Sequence, residues 1–146
     1  MIDYYKCQYH FNASHSFDGN KEQAHSHTFM MILYIRNHSG RDMDFKQLDR
    51  MIEIFLGRYE GLYLNELPCF AGNASIEAIG DYFYEQLKIK LSELNAELMQ
   101  LDIGDTPLGV YQVCDRILLP TVNERRSREN LEAILFYKKQ MPDQKK

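Results

Sequence analysis

Apolar and polar side chains alternate at the start of the chain. Between positions 4 and 13 the even positions are mostly polar, whereas the odd positions hold Tyr5, Cys7, Tyr9, Phe11 and Ala13. A period of two is typical of a strand with one buried face. We therefore predict a first strand whose odd positions face the core. The Asp-Gly-Asn sequence at 18–20 predicts that a turn-bearing loop follows it.

The next segment is apolar on both parities and is predicted to form a second strand over about 24–37. Its odd positions include Phe29 and Ile35, and its even positions include Ile32 and Tyr34. A strand with two apolar faces is typical of an inner position in a sheet, because both of its faces must be covered. We therefore expect this strand to lie inside the sheet.

Two helices are predicted next, because apolar residues then recur at helical spacing. The first spans about 45–59 with Asp44 as its N-cap, and the second spans about 75–95 with Glu77 in its first turn, where a carboxylate interacts favourably with the helix dipole. The apolar stripe of the first helix is Phe45, Leu48, Ile52, Phe55, Leu56 and Tyr59. The stripe of the second is Ile76, Ile79, Phe83, Leu87, Leu91 and Leu94.

Two shorter strands complete the predicted order, over about 98–104 and 108–114. Strands and helices grouped in runs, rather than in strict alternation, favour an α+β fold with antiparallel pairing. We therefore expect one domain over 1–114 and a C-terminal extension over 115–146, helical in part over about 129–140.

Composition narrows the class of protein. The chain has 146 residues, 45% hydrophobic and 26% charged, which is typical of a single globular domain. It has no apolar run of about 20 residues and no basic and apolar leader at its start, so no membrane partner is expected. The net charge of −4 (−7 up to position 114 and +3 from 115 onward) gives no indication of nucleic-acid binding. Three cysteines, an odd number, fit reduced thiols in a cytoplasm.

Three histidines extend the strand registers and form the candidate site. His25 and His27 lie on the odd face of the second strand, about 6.6 Å apart, and His15 continues the odd parity of the first. If the two strands pair as a hairpin, the three imidazoles approach one point. Three such ligands leave the fourth position of a tetrahedral zinc ion open, as in catalytic zinc sites. The alternative is three separate histidines that bind backbone or water.

Several short motifs occur in an order that resembles the 6-pyruvoyl-tetrahydropterin synthase and 6-carboxy-tetrahydropterin synthase family. They are Phe-Asn-Ala-Ser-His at 11–15, His-Ser-His at 25–27, Met-Asp-Phe-Lys-Gln-Leu at 43–48, Leu-Asn at 64–65, Ser-Ile-Glu at 75–77 and Asp-Thr at 105–106. The resemblance covers about 1–114 and implies the tunnelling fold (T-fold), a four-stranded antiparallel sheet with two helices on one face. It also implies a homo-oligomer, a trimer or hexamer, with sites between subunits.

The resemblance implies a zinc ion on His15, His25 and His27, and a substrate such as dihydroneopterin triphosphate or a related pterin or purine-like molecule. Its ring would be held by Asp105, which stands where the family usually has a glutamate, with Glu77, Ser75 and Thr106 nearby. Asp105 is also expected to share the parity of the apolar Met99, Leu101 and Ile103. The implied activity is that of a zinc-dependent carbon–oxygen lyase.

The chain departs from the family pattern at the groups that move protons. Lys21 stands where the family has a cysteine that acts as the general base. Glu60 and Gly61 stand where the family has an Asp-His pair that relays protons. A lysine can act as a base only if burial or a nearby cation lowers its pKa. Glu22 and Glu60 are therefore the candidate proton-transfer residues. The alternative function is a catalytically inactive zinc-binding protein of the same fold, a binding or scaffold protein.

Overall fold

A computed structural model describes residues 3–106 and 108–115. Its main elements, in chain order, are β1 (Tyr5–His15), β2 (His25–Asn37), α1 (Phe45–Gly57), α2 (Ile76–Ser92), β3 (Ala96–Thr106) and β4 (Gly109–Cys114). The four strands form one antiparallel sheet in the order β1-β2-β3-β4. The predicted α+β fold is therefore confirmed. The predicted helix over 129–140 lies outside the described residues, as does nearly all of the C-terminal extension.

One face of the sheet packs against both helices and forms the core. The rings of Phe11 in β1 and Phe29 in β2 stack on each other. Phe83 of α2 contacts both Phe11 and Phe55 of α1. The apolar stripes predicted for the helices supply most of the remaining core. None of the helices in the described part of the chain is long and apolar enough to cross a membrane.

Capping side chains set where the helices begin. Asp44 accepts a hydrogen bond from the backbone N–H of Gln47 at 3.1 Å, as predicted, and Ser75 accepts one from Ala78 at 3.1 Å. Ser75 is therefore the N-cap of α2 rather than its first residue. At the other end, Asn95 adopts a φ of +55°. This left-handed conformation, which asparagine tolerates, ends the helical path and lets β3 begin at Ala96, earlier than predicted.

A bulge in β3 changes which residues face the core. Tyr34 pairs with Gln100 and Ile35 pairs with Leu98, so Met99 is an extra residue. The side chain of Met99 is partly exposed, whereas Leu98 is buried in the core. The predicted parity was therefore wrong for Met99, although Leu101 and Ile103 do lie in the core. Asp105 lies in a second irregularity of β3, a register shift against β4 between Ile103 and Thr106.

The opposite face of the sheet is also covered at its centre, as predicted for an inner β2. Tyr34, Gln100 and Asp102 are fully buried there. The Tyr34 hydroxyl donates to Asp102 Oδ2 at 2.7 Å, and the Gln100 amide donates to Oδ1 at 2.8 Å. Burial raises the pKa of Asp102, and these hydrogen bonds oppose that rise. A buried carboxylate is tolerated here because its oxygens accept hydrogen bonds.

The close approach of α2 to the sheet generates a stability prediction. A Cβ on Gly80 would lie 2.8 Å from Tyr111 Cδ2 and 3.0 Å from Ile103 Cγ2. We therefore expect Gly80→Ala to lower the free energy of unfolding by about 1–3 kcal/mol through overpacking. The measurement is urea unfolding followed by circular dichroism.

The matched control is Gly57→Ala in α1. A Cβ on Gly57 meets nothing within 4 Å. This substitution should stabilise the protein by about 0.4–1 kcal/mol, because alanine reduces the entropy of the unfolded chain. Equal effects of the two substitutions would contradict the packing argument.

Candidate metal centre

The β1–β2 ladder brings three imidazoles together at its open end. His15 and His25 are direct cross-strand partners, and His27 lies one side-chain repeat along β2, opposite Ala13. The ring centroids are 4.7 Å apart for His15 and His25, 5.3 Å for His15 and His27, and 4.5 Å for His25 and His27. The predicted convergence of these three residues is therefore present in the structure.

A backbone hydrogen bond sets the orientation of His15. Its Nδ1 lies 2.7 Å from the carbonyl oxygen of Ala74, the residue before the N-cap of α2. A carbonyl oxygen only accepts, so Nδ1 carries the proton and Nε2 presents a lone pair. The ring is 5% exposed, and Nε2 has no hydrogen-bond partner among the described residues. An orphaned buried acceptor costs about 1–3 kcal/mol, so this atom needs a cation or a donor.

The other two histidines are also suited to binding a metal. His25 Nδ1 lies 3.3 Å from the carbonyl oxygen of Gln23, which leaves its Nε2 for a ligand. Burial lowers the pKa of His27, and the other two imidazoles lower it further, whereas the Asp105 carboxylate raises it. A metal binds the neutral form of imidazole, so a lowered pKa favours the ligating state.

A carboxylate joins the imidazole cluster. Asp105 Oδ2 lies 3.3 Å from His15 Nε2 and 3.8 Å from His27 Nε2. Ligand atoms of Asp105 and the three histidines all lie within 4.8 Å of one another. Imidazole nitrogens and a carboxylate oxygen are a donor set that zinc accepts. The residues present therefore fit the metal that the resemblance implies.

Asn65 clamps the chain directly after His15. The Ser16 N–H donates to Asn65 Oδ1 at 2.9 Å, while Asn65 Nδ2 donates to the carbonyl oxygens of Ser16 at 3.1 Å and Gly72 at 2.9 Å. Both Ser16 and Asn65 are buried. The sequence contained this signal as the Leu-Asn motif at 64–65 but did not indicate its role. The role of the Ala74 carbonyl had no sequence signal, because every residue type has one.

Comparison with known proteins identifies the family. The sequence profile described as 6-pyruvoyl tetrahydropterin synthase matches residues 4–115. The chain belongs to this family. No curated protein sequence matches it significantly.

Several solved structures share the fold. The 6-pyruvoyl tetrahydropterin synthase of Caenorhabditis elegans has a TM-score of 0.65 at 18% identity, covering 78% of this chain and 96% of that one. An uncharacterized protein from Wolinella succinogenes has a TM-score of 0.56 at 13% identity, covering 79% and 100%. The Plasmodium vivax synthase has a TM-score of 0.53 at 15% identity, covering 80% and 100%. Variants of the P. vivax protein replace a glutamate described as a catalytic residue.

The polar residues that the family resemblance assigns to ring binding lie at two places near the centre. Ser75 and Glu77 are at the start of α2, next to Ala74, but the Ser75 hydroxyl caps the helix. Thr106 follows Asp105 and accepts a hydrogen bond from the Leu108 N–H at 3.3 Å. Glu77 and Thr106 are exposed. Their role in binding a pterin ring stays a prediction.

The residues at the family's proton-transfer positions have other partners. Lys21 is exposed, and its Nζ lies 3.0 Å from Glu66 Oε1. Glu60 accepts hydrogen bonds from the backbone N–H and the side-chain amide of Asn12, both at 2.9 Å, which lower its pKa. Gly61 donates its backbone N–H to the Asn12 carbonyl oxygen at 2.7 Å. Glu22 is exposed in the short 3-10 turn Lys21–Gln23.

The Asn65 clamp can be tested by substitution. Asn65→Ala removes three hydrogen bonds from buried or part-buried backbone groups. We expect it to lower the free energy of unfolding by about 1–3 kcal/mol. Urea unfolding in the presence of a chelator measures this cost without any metal contribution. Asn73→Ala is the control, because the exposed Asn73 makes a longer hydrogen bond of 3.3 Å to Ser75. It should change stability by no more than about 0.5 kcal/mol, and an equal loss would contradict the assignment.

Proposed function

We propose that this protein binds zinc through His15, His25 and His27 and holds a reduced pterin, such as dihydroneopterin triphosphate or a related pterin or purine-like molecule, beside the ion. The observation that carries the proposal is the buried Nε2 of His15, which has no hydrogen-bond partner among residues 3–106 and 108–115 and lies in a cluster with the two other imidazoles. Zinc bound there would polarise oxygen atoms of a ligand side chain and make neighbouring protons easier to remove. Membership of the family supports the choice of ligand.

Under this proposal the protein is a zinc-dependent carbon–oxygen lyase in which Glu22 transfers protons. Glu22 follows Lys21, which stands at the family's cysteine position, and it is exposed near the end of β2 that carries the histidines. The catalytic glutamate described for the P. vivax synthase supports a carboxylate in this role. Glu60 is the weaker candidate, because both of its oxygens accept hydrogen bonds from Asn12.

A second candidate function is a zinc-binding T-fold protein without turnover. The observation that favours it is the state of the relay position. Gly61 has no side chain to carry a proton, and Glu60 is held by Asn12. In this case the centre would serve ligand binding or assembly alone.

We also propose a cytoplasmic homo-oligomer, a trimer or hexamer. Phe17, two residues after His15, is 92% exposed, and Leu108, between β3 and β4, is 98% exposed. Large apolar side chains at a functional end of a domain are typical of contact surfaces. The three free cysteines support a reducing compartment.

Metal analysis tests the zinc site. The purified protein should contain about one zinc ion per chain, and removal of the ion with a chelator should lower its melting temperature. His25→Ala should abolish stoichiometric zinc binding. His10→Ala is the matched control, since His10 is exposed on the other face of β1 and should leave zinc content unchanged. Zinc that is absent from the wild type, or retained fully by His25→Ala, would contradict the proposal.

A turnover assay with dihydroneopterin triphosphate separates the two candidate functions. If the protein is a lyase, Glu22→Gln should lower kcat by about 10²–10⁴ while zinc content stays at one per chain. Glu66→Gln is the control, because Glu66 is an exposed carboxylate that pairs with Lys21. Wild-type binding of the pterin without turnover would favour the inactive protein. Turnover that Glu22→Gln leaves unchanged would exclude Glu22 as the proton-transfer group.

A further inference from the structure

The Asp105 carboxylate lies directly against the imidazoles of the cluster. Its Oδ2 lies 3.3 Å from His15 Nε2 and 3.8 Å from His27 Nε2. We propose that Asp105 is the fourth protein ligand of the metal, an inference that rests on the zinc site proposed above. In the ligand-free protein, Asp105 would then fill the fourth position of the ion.

The tautomer of His15 supplies the first argument. Its Nδ1 proton is used by the Ala74 carbonyl, so the nitrogen that faces Asp105 presents a lone pair. A carboxylate oxygen is also an acceptor. No hydrogen bond joins the two atoms in spite of their 3.3 Å separation. Two acceptors this close repel each other unless a cation lies between them, and a shared metal ion supplies that cation.

Distance supplies the second argument. Two ligands on a tetrahedral zinc ion, each bonded at about 2.0–2.1 Å, are separated by about 3.3–3.4 Å. The Asp105–His15 separation of 3.3 Å already has that value, and the Asp105–His27 separation of 3.8 Å needs only a small adjustment. All four ligating atoms lie within 4.8 Å of one another. The carboxylate is therefore placed as a direct ligand and not at the distance of a group that binds through a bridging water.

The sheet explains how the carboxylate arrives there. Met30 pairs with Gly104, and Asp105 follows on β3 with its carboxylate on the side of the sheet that carries the histidines. Its side chain is 27% exposed, which is well covered for a carboxylate at a strand end. Aspartate is one methylene shorter than the glutamate expected at this position. The shorter side chain keeps the carboxylate beside the imidazoles.

Four protein ligands have a chemical consequence. Closed sites are the structural arrangement of zinc, whereas catalytic sites keep one position for water or substrate. A ligand oxygen could reach the metal here only by displacing Asp105 or by adding a fifth bond. The same carboxylate oxygen cannot hold a pterin ring and bind the metal at once, so ring binding by Asp105 and metal binding by Asp105 are opposed outcomes.

Cobalt substitution measures whether the fourth position is open. The metal-free protein is loaded with Co²⁺, and its visible absorption is followed as azide is added. Azide should leave the wild-type spectrum unchanged, because four side chains already hold the ion. In Asp105→Ala and Asp105→Asn it should shift the bands, because a solvent position opens. Zinc affinity, measured by competition with a chromophoric chelator, should fall at least about tenfold in both variants. Glu85→Gln, an exposed carboxylate on α2, is the control and should match the wild type.

The outcomes distinguish this inference from the proposed function. If the wild type takes azide and both Asp105 variants bind zinc as tightly as the wild type does, Asp105 is not a ligand, although the histidine site stands. If the wild type binds no metal, or His25→Ala binds it equally well, the proposed function fails and this inference fails with it. Far-ultraviolet circular dichroism checks that the variants fold, and the agreement of Ala with Asn excludes a folding defect peculiar to one of them.

Discussion

The candidate centre depends on the unshifted antiparallel register between β1 and β2. Eleven consecutive pairs run from Tyr5 and Ile35 to His15 and His25 without a bulge. A slip of one residue would move every side chain of one strand to the other face and would separate His15 from the other imidazoles. The stacked rings of Phe11 and Phe29 on the core face hold this register, because slippage would expose them to water. The same strand register therefore determines both the packing of the core and the geometry of the site.

Much of this arrangement could be predicted from local sequence periodicity. The parity of Phe11, His15 and His27 is fixed by pleat alone, and the Asp44 cap and the helical stripes follow from side-chain chemistry. The bulge at Met99 could not be predicted, since the extra residue is accommodated by pairing with a distant strand. The approach of Asp105 to His15 could not be predicted either. The two residues are ninety positions apart in the chain, and the family resemblance assigned the carboxylate to binding the pterin ring instead.

The departures from the family pattern share one physical direction. Lys21 pairs with Glu66 at the surface, Glu60 accepts two hydrogen bonds from Asn12, and Asp105 lies against the imidazoles. In each case a charged side chain contacts another group of the same chain. The chain keeps the fold and the cluster of imidazoles, whereas the charged side chains around the cluster contact other groups of the protein.

The backbone at Gly61 bears on any attempt to restore the relay. Its φ of +74° lies in the left-handed region, and its N–H is held by Asn12. A histidine placed there would have open space around its Cβ but would carry a conformational cost of about 1–2 kcal/mol that glycine avoids. Reinstating the lost imidazole is therefore a problem of main-chain geometry rather than of side-chain room. To restore catalysis through a histidine at this position, the backbone of the segment that follows α1 and bonds to β1 through Gly61 would have to be redesigned first.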